Sequence, residues 1–107
     1  MNPKMTESLV KALRGQRAAL LKEVADTEAD LEFLAEDREN ELEERAQRER
    51  AARLFDRLDV RAKHAIEEID AALQRIADGR YGTCLTCGGT IPVKRLRALP
   101  STRLCVD

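Results

Sequence analysis

Three cysteines, Cys84, Cys87 and Cys105, are the side chains of this sequence best suited to chemistry. Cys84 and Cys87 form a Cys-x-x-Cys knuckle followed directly by Gly88 and Gly89, and Cys105 returns after the spacer 88–104. A Cys-x-x-Cys pair, a spacer of roughly 15–20 residues and a second such pair read as a zinc site. Structural zinc takes four ligands in a tetrahedron, with each thiolate at about 2.3 Å. The glycines suit a tight knuckle, because they reach backbone angles that a Cβ resists. The sequence given supplies three of the four ligands and runs to Asp107, so the expected fourth falls at position 108. The lobe therefore reads as a four-cysteine-type finger cut before its fourth cysteine. A carboxylate ligand from Asp107 or the chain end, or an empty site, are the alternatives. The expected role is structural, since no base stands beside an open, water-bearing position. The single histidine, His64, falls within a helical pattern and reads as a surface residue, not a ligand.

The rest of the chain must hold this lobe. Its 107 residues make one domain's worth, and 36% of them are charged. With no Trp, one Tyr and two Phe, no large aromatic core is available. Abundant Glu, Arg, Ala and Leu match a long helix or coiled coil. A lobe with so small a core needs a staple, and zinc is the obvious one. From Gly79 onward the bases Arg80, Lys94, Arg95, Arg97 and Arg103 face one acid, Asp107, so a basic lobe sits on an acidic rod. Such a rod argues against wrapping of duplex DNA.

Residues 1–5 read as a frayed start, with Thr6 as the N-cap. Val10, Leu13, Leu20, Val24, Leu31 and Leu34 form one apolar stripe at heptad spacing, with Arg17 and Thr27 in its gaps. Gly15 weakens that helix by about 1 kcal/mol relative to Ala, which is too little to break it. Residues 35–50 hold one large aliphatic, Leu42, and fit either a solvated helix or a turn. A second stripe follows: Leu54, Phe55, Leu58, Ala62, Ala65, Ile66, Ile69, Leu73 and Ile76. Asp78-Gly79 ends it with a left-handed cap. Two antiparallel helices, each roughly 45 Å long, satisfy the pattern. One continuous helix that dimerises in parallel satisfies it too. No apolar run spans a membrane and no signal-peptide pattern is present, so a cytoplasmic location is expected, where reduced cysteines favour metal over disulfide.

Tyr81, Gly82, Cys84, Cys87, Gly88, Ile91, Arg95, Leu96, Ala98, Pro100 and Cys105 stand in an order that resembles the DksA/TraR family of zinc-finger transcription factors. That resemblance favours the hairpin and implies a mainly α fold: a long antiparallel helical hairpin (coiled coil) followed by a small zinc-finger lobe. It divides the chain into a hairpin over 1–78, with an acidic tip near 36–50, and a lobe over 79–107. It implies one structural Zn2+ held by Cys84, Cys87 and Cys105. At the tip, the family's Asp-x-x-Asp-x-Ala falls on Glu41, Glu44 and Ala46, with Leu42 where the family has Pro. The charges persist on arms one methylene longer. The implied function is regulation of transcription by direct binding to RNA polymerase, with the coiled coil in the secondary channel, no sequence-specific DNA and a monomeric chain. Lys94, Arg95 and Arg97 have two readings. One is a contact with polymerase or the alarmone ppGpp; the other is a solubilising helix that packs Leu96 and Leu99 inward. A zinc ribbon that binds nucleic acid and a structural coiled-coil adaptor are the rival functions. An enzyme is disfavoured, because no His/Ser/Asp or Cys/His constellation occurs.

Overall fold

In the computed structural model, residues 2–35 and 44–105 are described, with side chains from 48 onward in the second stretch. They form α1 (Pro3–Lys22), α2 (Glu28–Ala35), α3 (Glu44–Asp56), α4 (Val60–Ala77) and α5 (Val93–Ala98). Extended pairing among the described residues is limited to one isolated bridge, Thr83–Thr90. The fold is mainly α: an antiparallel helical hairpin that ends in a small lobe.

The first helix starts earlier than the sequence suggests. Asn2, not Thr6, is the N-cap: its Oδ1 accepts from the Met5 amide at 2.8 Å, and Pro3 takes the first helical position. Proline fits there because its missing N–H would have had no helical partner anyway. Thr6 instead donates its hydroxyl to the Asn2 carbonyl at 3.2 Å. Helix α1 then runs through Gly15 unbroken.

Helices α1 and α4 pack antiparallel. Leu13 meets Ile69 and Ala72 in one cluster, and Leu21 meets Leu54, Leu58 and Ile66 in another. Arg17, expected as a gap in the stripe, pairs with Asp70 across the seam at 2.9 Å. The buried face of α1 is Leu9, Leu13 and Leu21, one residue off the expected Val10 and Leu20, which are half-buried. Ala72, outside the expected second stripe, is fully buried. Its small side chain lets the two helices approach at the level of Leu13.

Neither arm is one continuous helix. The amides of Val24 and Ala25 turn back to the carbonyls of Leu21 and Lys22, and α1 ends. Thr27 then caps α2, its hydroxyl accepting from the Asp30 amide at 3.0 Å. In the returning arm, Arg57 and Leu58 make the same tight turn onto Leu54 and Phe55, and Asp59 caps α4 by accepting from the Ala62 amide at 2.8 Å. Thr and Asp compete with helix continuation by hydrogen-bonding the local backbone. Beyond its break, α2 lies beside α1, so that Leu31, Leu34 and Ala35 line a cleft with Ala18, Ala19 and Lys22. The longest dimension of the whole molecule, 43 Å, is no greater than one of the straight arms expected from periodicity.

The two breaks face each other and are joined by charge. Arg57 donates to the Val24 carbonyl, Asp26 Oδ1 and Asp30 Oδ2 at 3.1–3.3 Å, and Arg50 reaches Asp30 Oδ1 at 3.2 Å. Asp30 is buried. Burial pushes its carboxyl up, but hydrogen bonds from Thr27 and Arg57 outweigh this and hold it below the ordinary carboxylate value.

Candidate metal centre

The lobe begins where α4 stops. Gly79 takes a φ of 73°, and the Gly79 and Arg80 amides bond to the carbonyls of Ile76 and Arg75. This pair of bonds is the Schellman motif, which satisfies the last carbonyls and turns the chain off the helix axis. The chain then forms the knuckle. The Cys84 amide donates to the Gly89 carbonyl at 2.8 Å and the Gly88 amide to the Cys84 carbonyl at 2.9 Å. Gly88 carries the positive φ of 74° that the turn requires, whereas Gly89 does not. At Gly89 a Cβ would make only van der Waals contact, 3.4 Å from Cys87 Sγ, the atom its own amide approaches.

The three sulfurs converge. All lie within 4.8 Å of one another, and Cys87 Sγ and Cys105 Sγ are 3.8 Å apart. A disulfide needs about 2.05 Å, so these thiols are not bonded. A tetrahedron with metal–sulfur bonds of about 2.3 Å has edges of about 3.8 Å, so the spacing suits three corners of a zinc–thiolate site. Cys84 packs with Ile91 and Leu96 in the lobe's own core, whereas Cys87 is exposed. Asp107 lies outside the described residues. His64 is exposed on α4 beside Glu68 and is not part of the cysteine group.

The site favours a thiolate. Backbone N–H groups, first that of Cys87 and then that of Cys105, lower the Cys84 pKa from 9.0 to about 6 against the opposing effect of burial. Hydrogen bonds with the sulfurs of Cys84 and Cys87 raise that of Cys105. Cys84 thus ionises before Cys105. Because its value in the fold is depressed, the stabilisation from these N–H groups is complete above pH 9 and is lost as pH falls through about 6. In the metal-free chain, thiolate absorbance should show a first step near pH 6 that vanishes in Cys84→Ala. A single step near pH 9 would contradict the assignment.

The lobe's basic helix divides its labour. Arg95 is half-buried and donates Nε to the Leu104 carbonyl at 2.8 Å, whereas Lys94 and Arg97 are exposed. Leu96 packs inward as expected, but Leu99 is half-exposed, because α5 ends at Ala98 and Leu99 leaves the helical register. Of the expected tip residues, Glu41 lies outside the described residues, and Glu44 and Ala46 fall in the opening turn of α3 without described side chains. Sequence reasoning missed Arg75. It is a buried arginine that donates to the carbonyls of Ser101 and Thr102. The available signal was a charged residue three places after Ala72 and one before Ile76, on the apolar side of α4.

A helical hairpin with a cysteine-knuckle lobe at its base defines a class of small zinc-finger proteins. Residues 79–107 match the family model described as the prokaryotic dksA/traR C4-type zinc finger. The RNA polymerase-binding transcription factor DksA of Caulobacter vibrioides is 32% identical over 107 residues, which is 100% of this chain and 75% of that protein. The protein of the same name from Escherichia coli is 36% identical over 47 residues, covering 44% of this chain and 31% of that protein. The solved structure of transcription factor DksA2 from Pseudomonas aeruginosa matches with a TM-score of 0.63 at 28% identity, over 99% of this chain and 81% of that one. The chain belongs to the DksA/TraR family. The family's four-cysteine finger and the convergent triad together point to zinc. No described helix is long and apolar enough to cross a membrane.

Proposed function

We propose that this protein regulates transcription by binding RNA polymerase directly, and that it is not an enzyme. The observation that carries the reading is a thiolate triad built onto the end of an antiparallel hairpin, in a chain that aligns over its full length with a polymerase-binding relative. In this reading residues 79–107 form a lobe stapled by one structural zinc on Cys84, Cys87 and Cys105. The lobe rests on the rim of the polymerase secondary channel, and the hairpin of residues 1–78 enters it as a monomer in the cytoplasm. Zinc supplies the lobe with cross-linking and no reaction. The acids of the tip, Glu41 and Glu44, with Ala46 beside them, act near the polymerase active site, where the position of a negative charge affects a bound divalent cation and its surroundings. Exposed Lys94 and Arg97 remain free to meet polymerase or ppGpp, whereas Arg95 is committed to the Leu104 carbonyl.

The test is equilibrium binding of the zinc-loaded chain to core RNA polymerase, competed by a known secondary-channel factor. Competitive binding is expected. The double substitution of Glu41 and Glu44 by Ala should leave binding and helicity within about twofold while abolishing the effect on initiation. An unchanged effect would remove the tip from the mechanism. Binding that the channel factor does not displace would remove the channel itself.

A further inference from the structure

The strand of chain that delivers Cys105 has no helix or strand structure of its own. Yet each of the five carbonyls before that cysteine is held. Tyr81 donates its hydroxyl to Pro100 at 2.7 Å. Arg75 Nη2 reaches Ser101 at 3.4 Å and Thr102 at 3.3 Å. The Leu85 amide donates to Arg103 at 2.9 Å, and Arg95 Nε donates to Leu104 at 2.8 Å. Two of these clamps come from the base of the hairpin: Arg75 from the last turn of α4, and Tyr81 from just beyond it. Both are unusual placements. Arg75 is only 8% exposed, and a guanidinium gives up strong hydration to be buried. Tyr81 packs against the Leu13–Ile69–Ala72 core of the hairpin and also against the Cys84–Ile91–Leu96 core of the lobe.

We infer that Arg75 and Tyr81 are positioning residues of the metal centre: they set the strap that carries Cys105, so that metal binding and order at the base of the hairpin form one linked equilibrium. This rests on the reading that the triad binds zinc. The physical reason is the geometry of the strap. With the Pro100, Ser101 and Thr102 carbonyls anchored at the base of the hairpin, Cys105 is held where its sulfur meets the other two before any metal arrives. A metal that pins Cys105 must in return tighten the contacts of Arg75, since coupling between two sites is reciprocal. Residues that support metal ligands from outside typically contribute 10–100-fold to affinity.

The experiment uses the full chain with Co2+ titration, zinc competition against a chelator, and hydrogen exchange with and without zinc. Arg75→Met should weaken zinc binding about 10–100-fold, and Tyr81→Phe, which removes one hydroxyl and keeps the ring packed, should weaken it less. Arg61→Met, on an exposed site of the same helix, should have no effect. In the native chain zinc should slow exchange of the amides from Arg75 to Arg80, and in Arg75→Met that slowing should be lost while zinc still protects the knuckle. Arg75→Lys should restore part of the affinity, because an ammonium keeps the charge and the donors but lacks the rigid planar guanidinium that sets Nη2 between the two carbonyls. Native-like affinity and native-like zinc protection of the helix end in both Arg75→Met and Tyr81→Phe would overturn the inference. Failure of the native chain to bind Co2+ or zinc would overturn the metal reading along with it, and the native-chain arm tells the two failures apart.

Discussion

Cys87→Ser should abolish retention of zinc after dialysis against a chelator, whereas the native chain retains one ion. Cys87 is the informative choice among the three. Its side chain is exposed, so an oxygen in place of sulfur costs the apo lobe little packing. Cys84 lies in the lobe core with Ile91 and Leu96, and a hydroxyl there would disturb folding for reasons unrelated to metal. The loss should be large, because structural zinc in small fingers contributes an apparent 10–16 kcal/mol or so at neutral pH, and that binding energy is folding energy. Helices α1 and α4 have their own core, so the far-ultraviolet signal should fall only modestly while exchange protection over 81–105 collapses. Metal analysis and hydrogen exchange check both parts. Equal zinc retention by the native and substituted chains would remove Cys87 from the ligand set.

Leu13→Ala should be the most damaging truncation in the hairpin. Leu13 is fully buried against Ile69 and Ala72. Cutting a buried leucine to alanine costs about 2–5 kcal/mol, the upper end applying where neighbours cannot collapse into the gap. Helix backbones on both sides of this site limit such collapse, and the methyl group of Ala72 is too short to fill the gap. A small domain is stable by about 5–15 kcal/mol in total, so this one change removes a third or more of a typical margin. The urea midpoint should drop with little change in slope. Val10→Ala, a half-buried neighbour on the same helix, should cost markedly less. Equal losses at the two positions would show that the seam runs where periodicity alone first places it.

The comparison of those two residues shows where sequence reasoning stops. Apolar residues at spacings of three and four made α1 and α4 legible as amphipathic helices, and Gly79 made the end of α4 legible, because a left-handed cap is a local event. Which side of the stripe is buried was not local. Val10 and Leu20 fit a heptad as well as Leu9 and Leu21 do, and only the approach of α4 selects the second pair. The interruptions at 23–27 and 57–59 were hidden for a related reason. Neither contains Pro or Gly, so nothing in the chain forbids a continuous helix there. Thr27 and Asp59 offer competing caps, and Arg57 secures both turns at once by bonding across the hairpin to Val24, Asp26 and Asp30.

The metal centre divides the same way. The three cysteines as candidate ligands, the need for glycine at Gly88 and the family resemblance were all present in residue types and short spacings. Thiolate chemistry requires cysteine and a tight turn requires glycine, whatever the surrounding fold. The convergence of Cys105 on the knuckle, the early ionisation of Cys84 and the grip of Arg75 and Tyr81 on the strap belong to the tertiary structure. Each depends on groups far apart in sequence being brought within hydrogen-bonding distance, and a hydrogen bond to a backbone carbonyl leaves no mark in the sequence of the residue that accepts it.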